Sequence, residues 1–120
     1  MQLPNEAWSD FFDDITNSMH GRLVELDVIG VDLGALVEAE WLSLIGMTYE
    51  PVEDTLYVYV DSPEGSVDHA IEHPRRIYVE LDASGMNQLV VFDSAEHGQF
   101  MRLRPPLVLP DRTSSLQDGA

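Results

Sequence analysis

The stretch Arg22-Leu23-Val24-Glu25-Leu26-Asp27-Val28-Ile29 decides the fold class of this chain. Val24, Leu26 and Val28 alternate with Leu23, Glu25 and Asp27, so one face is apolar and the other largely acidic. A period of two belongs to a β-strand, whose successive side chains point to opposite faces. Toward the N-terminus the period changes at Gly21. Across 5–19, Trp8, Phe11, Phe12, Ile15 and Met19 recur at helical spacing, while Asp10, Asp13, Asp14 and Asn17 take the opposite side. This predicts an amphipathic helix with Asn5 as its cap and Gly21 at its end, and with Glu6 and Asp10 near the positive end of the helix dipole.

Toward the C-terminus the alternation repeats. Residues 35–42 place Val37, Ala39 and Trp41 on one side and Glu38 and Glu40 on the other, after a Gly30-Val31-Asp32-Leu33-Gly34 turn that suits a hairpin. Short strands are expected at 44–49 and 55–60. The stretch 61–68, with Ser62-Pro63-Glu64-Gly65-Ser66, reads as the longest loop, and 67–73 as one helical turn or an irregular segment closed by Pro74. Strands follow at 76–82, 87–93 and 99–104, the last with Met101 and Leu103 inward and Arg102 and Arg104 projecting. Prolines 105, 106 and 110 remove ladder donors, which predicts an extended strap and then disorder. The expected fold is α+β: an N-terminal amphipathic helix packed on a bent antiparallel sheet or open barrel of six to seven strands. One domain is expected over 1–110, with a disordered tail at 111–120.

The chain has 120 residues, 22 acids and 6 bases, a formal charge of -16, and no lysine or cysteine. Without cysteine there are no disulfides, thiolate metal sites or cysteine nucleophiles. The charge opposes DNA, RNA and anionic lipid, because phosphate binding draws on Lys and Arg displacing counterions. No apolar run approaches the ~18 residues of a membrane span, so a cytoplasmic, non-membrane protein is expected. Three explanations of the acidity stay open: adaptation to a salty interior, where a Debye length of ~3 Å at molar salt screens self-repulsion; docking of a basic protein, including nucleic-acid mimicry; and a cation site of clustered carboxylates. No calcium-loop spacing supports the third.

Two groups of residues are candidates for chemistry. His69-Ala70-Ile71-Glu72-His73 matches the inverted zinc-peptidase pattern H-x-x-E-H. That chemistry needs both imidazoles on one face of a stable helix, and Pro74 biases His73 away from helical geometry. His69, Glu72 and His73 are therefore weak metal candidates, and no cofactor is expected. The second group is Glu25, Asp27, Glu38 and Glu40, which a regular pairing of 22–29 with 35–42 would set on one sheet face. Like charges across a ladder are destabilising, so salt, Arg22, Arg102, Arg104 or a basic partner must compensate. Arg75 and Arg76, beside two of the four histidines, form the one locally basic stretch and a candidate contact for a small anion or a partner. The chain has no G-x-S-x-G elbow, phosphate-cradling glycine loop or plausible Ser, His, Asp order. The expectation is a non-catalytic binding or accessory domain, with a basic protein or a second copy as partner. The alternatives are an acidic docking protein or nucleic-acid mimic, and a small metal-binding hydrolase.

Three motifs carry a resemblance: W-x-x-F-F at Trp8, Phe11 and Phe12; G-R-x-V-x-L-x-V from Gly21; and H-A-I-E-H-P-R-x-I from His69. Together, over roughly 5–110, they resemble a family of short bacterial proteins classed only as a domain of unknown function. The resemblance implies a single domain with no assigned activity and no catalytic residues to carry over. It also implies that His69 to Pro74 links a sheet edge to a strand.

Overall fold

Five apolar residues on one stripe of a helix need a sheet to cover them, and the chain supplies it. In the computed structural model, which describes residues 1–109, helix α1 spans Trp8–Met19. Trp8, Phe11, Phe12, Ile15 and Met19 are all buried. Eight strands accompany it: β1 Gln2–Leu3, β2 Arg22–Gly30, β3 Gly34–Glu50, β4 Thr55–Ser62, β5 Gly65–Glu72, β6 Pro74–Asp82, β7 Gly85–Asp93 and β8 Gly98–Leu107. They form one antiparallel sheet in the order β1-β6-β7-β8-β2-β3-β4-β5.

The order of strands and the length of one connection together fix the curvature. β5 and β6 stand six positions apart, which in a flat sheet would separate them by about 29 Å. Only His73 joins them. The sheet must therefore curl until the edge strand β5 comes back to β6, next to the other edge β1, without a ladder that closes it. Two further contacts hold that shape. His69 Nε2 on β5 lies 3.0 Å from Gln99 Oε1 on β8, and the Ser94 N–H donates to the His73 carbonyl at 3.0 Å. The inner surface joins α1 in a single apolar core that includes Val24, Leu26, Met47, Leu56, Ile77 and Met101.

Helix α1 lies on β3. Its Thr16 Oγ1 accepts a hydrogen bond from the Met47 N–H at 3.0 Å, beside the irregularity between Leu44 and Gly46 in the β3–β4 ladder. The Trp8 ring meets Tyr49 edge-on, with centroids 5.3 Å apart, and the Trp8 Nε1–H donates to the Leu3 carbonyl at 3.2 Å.

The α+β class and the helix over an open antiparallel sheet agree with the sequence reading, but the sheet has eight strands rather than six or seven. β1 has two residues, too few for any periodicity. β5 occupies what reads as loop and helical turn, because Gly, Ser, Asp, His and Ala are weak strand formers; Pro63-Glu64 is only a two-residue turn. The segment 44–49 is not a separate strand but the second half of the 17-residue β3. Asn5 does not cap α1: it begins a short 3-10 turn, Asn5–Ala7, and α1 has no side-chain cap. Pro105 and Pro106 do lie within β8, at positions that need no donor. β2 pairing ends at Arg104, and the β7 ladder skips from Arg102 to Leu107. The tail assigned to 111–120 lies outside the described residues. No helix among the described residues is long and apolar enough to cross a membrane.

Candidate functional site

The β2–β3 hairpin breaks the alternation that its sequence suggests. Register shifts flank Leu26, so Ala39 pairs with Leu26 on the inner face while Val37 pairs with Asp27 on the outer face. Bulges of this kind re-aim side chains. Val37 and Trp41 are thus not inward partners of Ala39. Val37 is exposed, and Trp41, with a positive φ of 52°, turns its ring against Arg104, whose guanidinium carbon sits 3.7 Å from the ring centroid. A positive φ is an outlier for so bulky a residue, and the stacked arginine is what accompanies it here.

The same shifts put two residues, Glu40 and Trp41, opposite Glu25 and leave Glu38 without a partner position, and Glu40 stays close enough to Asp27 for its charge to act on that carboxyl. Glu25 and Asp27 stay on the outer face across from Arg102 and Phe100. Arg102 donates to Glu25 Oε1 and lies 3.9 Å from Asp27 Oδ2. Burial, with the neighbouring Glu25 carboxylate, pushes the Asp27 pKa up against the pull of Arg102. Glu38 and Glu40 fall at the irregular positions and are exposed. Of the three arginines that stood to compensate the acids, only Arg102 does so. Arg104 stacks on Trp41, and Arg22 donates to the Ser18 carbonyl at the end of α1.

Beyond this mixed patch the hairpin carries Ile29, Val31, Leu33, Leu36 and Val37, all exposed. They are five of the ten large apolar side chains exposed among the described residues, gathered into nine positions. Its tip is pinned to the β7–β8 turn, where His97 Nε2 lies 2.9 Å from Asp32 Oδ1.

The H-x-x-E-H segment runs along β5, not along a helix. His69 faces inward to Gln99, Glu72 is exposed on the opposite side of the strand, and His73 turns the corner with φ 53°. The His73 N–H donates to the Asp54 carbonyl at 2.8 Å, and its Nδ1 lies 3.2 Å from Asp54 Oδ2. Asp54 Oδ1 accepts the Tyr49 hydroxyl at 2.7 Å, and burial together with this bond pushes the Tyr49 pKa up to about 12. Among the described residues no three His, Asp or Glu side chains are placed to hold a metal ion. The motif's residues are therefore spread along one strand and its corner. Arg75 and Arg76 follow on β6, at a separate cleft.

Comparison with known proteins gives the family of the chain. The model of a family of unknown function, DUF5335, matches residues 1–112. The chain belongs to that family. An uncharacterised protein of Aquifex aeolicus (strain VF5) is 29% identical over 109 residues, covering 91% of this chain and 96% of the relative. No solved structure matches. Within this DUF5335 chain, the W-x-x-F-F residues Trp8, Phe11 and Phe12 are core, and His69 to Pro74 does connect the edge strand β5 to β6.

Sequence reasoning missed Trp41 and Asp93. The signal for Trp41 was Trp41-Leu42, two large apolar residues in succession after Glu-Ala-Glu, which is what an inserted residue produces. Asp93 is buried, and its Oδ1 accepts the Ala95 and His97 N–H groups at 3.0 and 2.9 Å. An Asp between a strand and a Ser-Ala-Glu-His-Gly turn is the usual residue for that bond.

Proposed function

We propose that this protein is a non-catalytic binding domain that engages a basic, partly apolar segment of a protein partner through the β2–β3 hairpin and the outer face beside it. The observation that carries the reading is that Ile29, Val31, Leu33, Leu36 and Val37 are all exposed within one hairpin. Clustered exposed apolar surface with a polar rim is characteristic of interaction sites. Charge complementarity selects the partner. Asp32, Glu38 and Glu40 rim the cluster, and the chain's formal charge is -16. The half-buried Trp41, with Arg102 and Arg104 beside it, adds the residue types that dominate binding energy in interfaces. The other acids are spread over the helix and the remaining strands, and we assign them to adaptation to ionic strength rather than to the partner.

The test is a titration of isotope-labelled protein with a short peptide alternating arginine and leucine, followed by amide resonances. Saturable shifts confined to 29–41 and the Trp41 indole, abolished in a Leu33→Asp/Val37→Asp variant, are expected. Shifts spread evenly over all acidic segments, or none, overturn the assignment. Concentration-dependent shifts of the same residues without peptide would replace the partner with a second copy.

A further inference from the structure

We propose that the cleft at the start of β6 is a binding site for a small oxyanion, a phosphate or carboxylate group gripped by Arg75 and Arg76. The cleft, of about 660 Å³, is lined by these two arginines with Phe92, Asp93, Ser94 and Glu96. It lies apart from the hairpin and does not depend on the partner proposed above.

Consecutive strand residues ordinarily point to opposite faces. In the β6–β7 ladder Pro74 pairs with Asp93 and Arg76 with Phe92, so Arg75 is an inserted residue with no partner position. The insertion lets Arg75 and Arg76 line the same cleft. Both are exposed, and neither forms an ion pair among the described residues, although the chain has 22 acids. The Arg76 guanidinium carbon sits 4.8 Å from the centroid of the Phe92 ring. Stacking uses the face of a guanidinium and leaves its in-plane N–H donors free, so Arg76 is held in place before any ligand arrives. Two such forks match the oxygens of a phosphate or carboxylate, the strongest class of charge-assisted hydrogen bond.

The acids in the cleft do not cancel it. Asp93 is buried, and it already accepts hydrogen bonds from Ala95 and His97 at one oxygen and from Gln99 at the other. Glu96 is exposed. The remaining acids act through solvent that screens charge over about 8 Å at physiological ionic strength.

The experiment titrates the full chain with inorganic phosphate at constant ionic strength, chloride making up the balance, and follows arginine side-chain N–H resonances. The expected result is saturable movement of Arg75 and Arg76 and of the Ser94 amide, with Arg104 unmoved. Arg75→Gln and Arg76→Gln should each weaken binding about tenfold or more, the loss of a charge-assisted bond. Arg76→Lys, which keeps the charge and loses the fork, should recover only part of it. Both positions are exposed, and an unchanged amide spectrum elsewhere shows that the variants fold. Linear movement without saturation, or equal movement of Arg102 and Arg104, overturns the proposal in favour of general ion atmosphere.

Discussion

Gly46→Ala tests the coupling of helix to sheet at a single atom. A Cβ built at Gly46 comes within 3.0 Å of Thr16 Oγ1, closer than side chains tolerate, while the next atoms, the Thr16 carbonyl oxygen and Cβ, lie at 3.6 and 3.7 Å in ordinary contact. The cheapest escape is rotation of the Thr16 hydroxyl, which surrenders its bond from the Met47 N–H. Leaving that shielded N–H unpaired costs about 1–3 kcal/mol. Replacing glycine in a strand returns about 0.5–1 kcal/mol of chain entropy. If instead the helix shifts, overpacking of a core holding Trp8, Phe12 and Ile15 costs about 1–3 kcal/mol. Either route leaves a net change between about zero and a loss of about 2.5 kcal/mol, centred a little above ~1 kcal/mol. Urea unfolding should therefore show a lower midpoint at unchanged slope. Thr16→Ala alone should also destabilise, by about 1 kcal/mol, because Met47 loses its acceptor. The two changes together must cost less than their sum, since without Oγ1 the new methyl meets only ordinary contacts. Strict additivity would refute the role assigned to Thr16.

Gly85 has φ 124°, and a Cβ there would fall within 3.0 Å of the Leu107 carbonyl oxygen, a backbone atom with no rotamer to escape by. Gly85→Ala should thus cost more than Gly46→Ala, about 2–4 kcal/mol by adding backbone strain to the clash, read in the same urea assay. Tyr49 holds its proton up to about pH 12, above its ordinary value of 10.0. A raised folded pKa means that its contribution is complete below the unfolded value and is lost as pH rises from about 10 to about 12. Alkaline unfolding curves should flatten over that window in Tyr49→Phe, and an unaltered curve would show that neither burial nor the Asp54 bond shifts Tyr49. Asp27 is also raised, so its ionisation opposes folding above the unfolded value of 3.8. Asp27→Asn should leave stability at neutral pH unchanged or higher, with the difference vanishing in acid. Arg102→Gln should lower stability by up to about 1 kcal/mol at low salt, as for a half-exposed pair, and by less at molar salt, where the Glu25–Asp27 repulsion is screened.

The period change at Gly21 made the helix-then-sheet architecture legible, and the helical stripe named the buried residues of α1. What escaped the sequence was register. Alternation predicts which face a residue takes only while the ladder stays regular, and a single inserted residue reverses every position beyond it. The shifts flanking Leu26 parted Val37 and Trp41 from Ala39 and took Glu38 and Glu40 out of regular pairing with Glu25 and Asp27. β5 escaped for another reason. Its weak strand formers are held by eight paired positions along β4 and by the anchoring of His69 and Ile71, none of it local in sequence. Arg75 and Arg76 were recognisable as the basic stretch, but the insertion that lets them line one cleft was not.

Some of the irregular positions, those beside Leu26 and at Arg75, lie at the candidate sites, and a physical cause links the two. A sheet whose edge strand β5 comes back to β6 must bend sharply, and inserted residues supply that curvature by adding local twist. Each insertion also frees a side chain from alternation. At Trp41 the result is an indole laid against Arg104 on the outer face, and at Arg75 a second guanidinium beside Arg76. Curling the sheet and presenting these groups are thus two outcomes of the same insertions. A deletion that regularised the β6–β7 ladder by removing Arg75 should disturb the His73 corner, with its bonds to Asp54 and Ser94, as well as the anion cleft. Substitution at Arg75 should disturb only the cleft. Amide exchange at His73 and Ser94 distinguishes them: protection should fall in the deletion and persist in Arg75→Gln.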